Sequence, residues 1–173
     1  MTKSKTIILI HGNFVNNLSW AAWKKHYEQK GYTIYTPANP GHEGSPQELR
    51  KNVHPDLTST GFVDIVSNIA KLIDSLPEKP LIVGHSMAGM AVMKLLEMDK
   101  ACAAVSIDGA PPKNILPPPA TTKAVLPAFG FFSFKPYFMG SRNWFNKYFF
   151  NTLPENQREA AFDNNAVPES YKV

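Results

Sequence analysis

The sequence predicts an α/β domain built on a mostly parallel sheet, and three observations carry that expectation. Short runs of β-branched and aliphatic residues recur at Thr6–Ile10, Thr33–Thr36, Leu81–Val83 and Cys102–Ile107. Between them lie segments of helical length and pattern, the crossovers that parallel neighbours in one sheet require. The chain of 173 residues, 43% hydrophobic and 18% charged, has the composition and length to bury one substantial core.

Each element has its own signal. Thr6–Ile10, TIILI, is a continuous apolar run that suits a strand buried on both faces. Leu18–Lys30 sets Trp20, Trp23 and Tyr27 at helical spacing and stops at Gly31. Thr33–Thr36 reads as a short strand halted by Pro37 and the Asn39-Pro40-Gly41 turn. Phe62, Ile65, Val66, Ile69, Ile73 and Leu76 mark one face of a helix, with Thr58-Ser59-Thr60 offering N-caps and Pro77 closing it. Leu81–Val83 is the next strand, Met87–Met98 the next helix and Cys102–Ile107 the last strand.

The character changes after Asp108. Residues 111–168 hold nine of the fifteen prolines and nine of the eleven phenylalanines. Pro117-Pro118-Pro119 is expected to block helix, and Phe129–Phe134 has no clear period. Trp144–Phe150 and Pro154–Phe162 read as short helices, and Pro168-Glu169 as the start of another. The expected division is therefore 1–112 for the core and 113–173 for an apolar cap layer with that helix start.

Charge and cysteine usage narrow the function classes. The net charge is only +4, and Lys and Arg never run longer than two, so no nucleic-acid footprint is expected. The apolar run IILI ahead of His11-Gly12 is too short for a signal peptide, and no stable membrane insertion is expected. The single cysteine, Cys102, excludes an internal disulfide and reads as a buried, inert thiol. These features together point to a cytoplasmic protein.

The chemistry centres on Gly84-His85-Ser86-Met87-Ala88-Gly89, placed between a strand and a helix. A serine hydroxyl is a poor nucleophile until its proton is taken, and it must first be exposed. Glycines flanking a strand-to-helix turn allow that exposure, and the first helical N–H, here that of Met87, faces developing negative charge. A serine that merely caps a helix has the same local look, and five residues alone do not separate the two. The stretch His11-Gly12-Asn13-Phe14, directly after the first strand, adds a second element.

Four pieces in order, IILIHGN, a Trp-bearing helix, PANPGHEGS and LIVGHSMAG, resemble the α/β hydrolase superfamily in its small esterase and lysophospholipase-like branch. The resemblance covers Thr6–Pro112. It implies the α/β-hydrolase fold, a mostly parallel sheet with helices on both faces, under a Pro/Phe-rich cap. It implies Ser86 as nucleophile and the backbone N–H groups of Asn13 and Met87 as oxyanion hole. His11, Gly12, Phe14 and His85 would then lie at the substrate pocket, roofed by cap rings that include Phe131 and Phe134. A serine at this position, where related dehalogenases and epoxide hydrolases carry aspartate, favours acyl transfer on a small apolar acyl or aryl ester. No cofactor and no metal are implied; His42 beside Glu43 is too sparse a ligand set.

A triad needs an acid and a histidine after the serine in this fold. The five histidines, His11, His26, His42, His54 and His85, all precede Ser86. Asp108 is the candidate acid, with a turn-capping aspartate before Gly109 as the plainer alternative. The chain thus resembles a hydrolase shortened at its C-terminus and lacking the last strands. Its four strands would lie in the order Thr33–Thr36, Thr6–Ile10, Leu81–Val83, Cys102–Ile107, leaving the last as an open edge for self-association. The expected function is a serine hydrolase-type protein with an incomplete triad; the alternative is an inactive ligand-binding or interaction module of the same fold.

Overall fold

Complete burial of β1 (Thr6–Ile10) organises the domain, because a strand with no exposed face must lie between neighbours and under helices. In the computed structural model, which describes residues 4–112, 114–129 and 133–173, β1 pairs with β2 (Thr33–Tyr35) on one side and β3 (Leu81–His85) on the other. β4 (Ala103–Ile107) pairs with β3, and the order β2-β1-β3-β4 is parallel throughout, as the sequence predicts.

Alternation along β1 sends side chains to two cores. Ile8 and Ile10 join Ile82 beneath α3 (Phe62–Asp74) and α4 (Met87–Glu97), whose Val66, Ile69, Ile73, Ala91, Val92 and Leu95 are buried there. Ile7 and Leu9 pack with Ile34 and Trp20 on the opposite face, where α1 (Ala21–Glu28) contributes Tyr27. Helices therefore cover both faces.

Several local expectations are corrected. The segment from Leu18 begins as a 3-10 turn, Asn17–Trp20, before α1. The N-cap of α3 is Gly61, outside the Thr58-Ser59-Thr60 cluster, because the Asp64 carboxylate reaches back to accept the Gly61 N–H at 2.9 Å. α2 (Pro46–Lys51), unforeseen, is closed by a Ser45–Glu48 capping box. Cys102 is exposed, since no element among the described residues packs beyond β4, where Val105 is 53% exposed.

In the second region Pro119 opens α5 (Pro119–Val125) instead of blocking it. Proline lacks only an N–H that a first helical turn cannot use. β5 (Tyr137–Phe138), α6 (Arg142–Tyr148) and α7 (Glu155–Asn165) follow. Pro168-Glu169 does not start a helix. Glu169–Ser170 form β6, antiparallel to β5, because the fixed φ of proline suits extended chain equally and the Glu169 side chain is drawn inward. Phe145, Phe162 and Ala166 close around Phe14 in a third core that ties α6 and α7 to the loop after β1. Arg50 of α2 adds hydrogen bonds to the carbonyls of Ala166 (2.6 Å) and Asp163 (3.1 Å) at the end of α7.

Candidate active site at the Ser86 turn

Ser86 links β3 to α4 with φ 57° and ψ −123°, a conformation that L-residues rarely adopt. Such backbone persists only when its surroundings over-determine it. Here the Ser86 N–H donates to the Ile107 carbonyl at 2.9 Å, and its own carbonyl accepts from Gly89 (2.9 Å) and Ala110 (3.0 Å). A side chain at Gly84 would fall on the Ala88 carbonyl, so only glycine lets α4 start so close to the strand.

The loop after β1 reaches the same point. A Cβ placed on Gly12 would stand 2.7 Å from the His85 carbonyl and 2.8 Å from the Ser86 Cβ. Bare backbone thus lies against Ser86, with half-buried Asn13 next in the chain. Met87, 5% exposed, is the first residue of α4, where an N–H has no partner inside the helix. The geometry brings Ser86, Gly12, Asn13 and Met87 to the C-terminal end of the parallel strands, where open α/β sheets bind their ligands.

The sequence profile of the alpha/beta hydrolase family matches residues 7–171. The chain belongs to that family. Among solved structures it is similar to an extracellular alpha/beta-hydrolase from a Paenibacillus species, with a TM-score of 0.72, 21% identity and coverage of 95% of this chain and 66% of that one. It is also similar to methylketone synthase I from tomato in complex with 2-tridecanone (TM-score 0.69, 20% identity, 99% and 69% covered). The methylesterase MES16 from Arabidopsis matches with a TM-score of 0.68 at 14% identity, 97% and 67% covered. This alpha/beta hydrolase chain therefore spans about two thirds of the length of the structures it matches. No curated protein matches its sequence.

Three of the five histidines of this alpha/beta hydrolase, His11, His42 and His54, are engaged by other groups. His11 is fully enclosed; its Nδ1 lies 2.9 Å from the Gly12 carbonyl, and its Nε2 accepts the Asn39 N–H at 3.0 Å. Those partners fix a neutral ring with the proton on Nδ1. Burial first, and the neighbouring His42 second, lower its pKa from 6.5 to about 4. The ring sits beneath the loop and braces it. His54 caps a 3-10 turn by accepting the Asp56 N–H, and His26 stands exposed against Tyr27. His85 is exposed at the end of β3.

The titration of His11 has a consequence for stability. The unfolded chain binds a proton at His11 below about pH 6.5, while the folded chain resists until about pH 4. Stability is therefore full above that window and is lost as pH falls through it, by on the order of 3 kcal/mol from this group. Urea titrations from pH 7.5 to 4 should show a steeper acid loss in wild type than in His11→Gln. Equal slopes in the two proteins would refute the assignment.

Other expected residues are placed as follows. Asp108 follows β4 in an exposed turn with φ 45°. Phe134 is fully exposed in the bend before β5 and lines no enclosed pocket among the described residues, a correction that follows from its position on an outward loop. Phe131 lies outside the described residues. The Phe14 ring is buried in the third core, edge-on to Phe138, Trp144 and Phe149 at 5.2–5.6 Å. Phe138, Phe145, Phe149 and Phe150 likewise form or pack against that core. Among the described residues no cluster of three His, Cys, Asp or Glu could hold a metal, and no helix is long and apolar enough to cross a membrane. An open hollow of about 480 Å³ lined by Ile73, Pro77, Met98 and Asp99 lies at the C-terminal ends of α3 and α4, away from Ser86.

One group at the site was missed from sequence. The Glu169 carboxylate, 2% exposed, accepts the Phe14 N–H at 3.1 Å and lies 3.3 Å from His42 Nε2. Burial is the largest single influence and works against a charged His42, yet the charge and hydrogen-bonding contact of Glu169, with smaller help from the Pro40 carbonyl and Glu43, together raise the His42 pKa. Neither ring nitrogen of His42 makes a well-aligned hydrogen bond, so the pair is an ion contact more than a directed bond. A glutamate after a proline has no sequence signal for burial; its partners, His42 and Phe14, come from distant loops.

Proposed function

We propose that this chain carries the acyl-transfer half of a serine esterase, with Ser86 as nucleophile and the Asn13 and Met87 N–H groups as oxyanion hole. The observation that supports it best is the Ser86 turn at φ 57° with the Gly12 backbone packed against its Cβ. A serine that only capped a helix would need neither. Attack by the hydroxyl on an ester carbonyl develops charge on the carbonyl oxygen, and losing one donor to it typically costs roughly 3 kcal/mol. The substrate class is a small apolar acyl or aryl ester; similarity to proteins named as a methylesterase and as polyneuridine aldehyde esterase supports an ester. Asp108 is the acid candidate for a histidine that these residues do not supply. A cytoplasmic setting, from the single thiol, and self-association through the open β4 edge belong to the same reading.

The engagement of His11, His42 and His54 by other groups favours a second reading, an inactive ligand-binding or interaction module of this fold. A fluorophosphonate probe with intact-mass readout separates the two. Labelling at one site, lost in Ser86→Ala, is expected; no labelling together with tight binding of aryl esters would establish the module. Size exclusion of the labelled chain reports self-association, which a purely monomeric profile at high concentration would exclude.

A further inference from the structure

We propose that Glu169 is a positioning residue of the oxyanion loop: its carboxylate, set against His42, holds the Phe14 N–H and thereby aims the Asn13 N–H at Ser86. The inference rests on the reading of Asn13 as an oxyanion donor and extends it to a residue at the far end of the chain.

Phe14 is a non-glycine residue at φ 67°, in the left-handed region, where a bulky side chain needs outside restraint. The restraints come from the last elements. Glu169 Oε2 takes its N–H at 3.1 Å, and the Val167 N–H donates to its carbonyl at 3.0 Å. The Glu169 carboxylate is itself held, Oε1 by the Ser170 N–H at 2.9 Å and Oε2 against His42 at 3.3 Å. The Ser170 hydroxyl in turn donates to the Thr60 carbonyl at 2.7 Å, anchoring the strand that carries Glu169.

Peptide planarity converts these contacts into aim. The Asn13 N–H shares a rigid plane with the Gly12 carbonyl, which His11 holds, and the Phe14 N–H shares a plane with the Asn13 carbonyl. With both planes pinned, Asn13 has little freedom left to turn its N–H away. Removing Glu169 frees the second plane and lets Phe14 relax from its left-handed conformation.

The test uses the full chain as Glu169→Gln and Glu169→Ala, read by residue-resolved hydrogen exchange and by fluorophosphonate labelling. In Glu169→Ala the amide of Phe14 should exchange at least 10-fold faster while Ile8 and Ile82 stay unchanged, and Ser86 labelling should slow at least 10-fold. Glu169→Gln, which keeps shape and one acceptor, should recover part of both effects; it carries the test if the alanine variant does not fold. Faster exchange spread evenly over the sheet would show a merely structural residue and overturn the proposal, as would unchanged exchange at Phe14. If wild type itself resists labelling, the esterase reading fails, and the exchange arm still decides whether Glu169 positions the loop.

Discussion

Aryl-ester turnover by this chain is expected at least ~1,000-fold below that of a triad-complete serine hydrolase, even with Ser86 open to a reactive probe. The two outcomes are compatible because they draw on different parts of the site. On the proposed reading, the strained turn exposes the hydroxyl and the loop laid against it forms the oxyanion hole. Proton removal from the hydroxyl requires a base, and His11, His42 and His54 are committed to the Asn39 amide, to Glu169 and to the Asp56 amide. Hydrolysis of p-nitrophenyl butyrate by purified chain, with Ser86→Ala as the baseline, measures the difference. A kcat near the ordinary enzyme range of about 10 s⁻¹, abolished by Ser86→Ala, would show that a base is present after all.

Phe145→Ala should be the most damaging single truncation in the cap, costing about 3–5 kcal/mol. The side chain is completely buried and meets Phe149, Phe150, Phe162 and Trp144, the first three at ring separations of 5.3–5.5 Å. Gly140 approaches so closely that a Cβ there would sit 2.9 Å from it, which leaves little slack to refill the cavity. Since Phe14 belongs to the same cluster, the damage should reach the oxyanion loop. Urea unfolding followed by the combined fluorescence of Trp20, Trp23 and Trp144 gives the loss, and a change below about 1.5 kcal/mol would show that this core is looser than its packing indicates.

The sheet was legible because its signals are local. TIILI states its own burial and the apolar face from Phe62 to Ile73 states its own helix, while the strand order was what the resemblance to the α/β hydrolases implied. The serine turn was legible for the same reason, since Gly84 and Gly89 are required within a few residues of Ser86. What was not legible depends on partners far away in sequence. Glu169 looked like a helix start because nothing beside it discloses His42, and Cys102 looked buried because a strand's own residues do not report whether a neighbour covers it. The cap rings are a middle case: their apolar character was plain, but hydrophobicity does not distinguish a ring facing substrate from one facing other rings.

The bond between the Phe14 N–H and Glu169 spans 155 residues. Closing so long a loop is entropically worthwhile only after nearer contacts have shortened the effective path, and contacts of this separation slow folding. β1, β3 and α4 can assemble from neighbours, and the turn at Ser86 needs nothing later than Ala110. The loop beside it is different: its Phe14 amide waits for a carboxylate 155 residues further along. The Ser86 turn is thus an early product of folding, and the clamp on the Gly12–Phe14 loop is a late one.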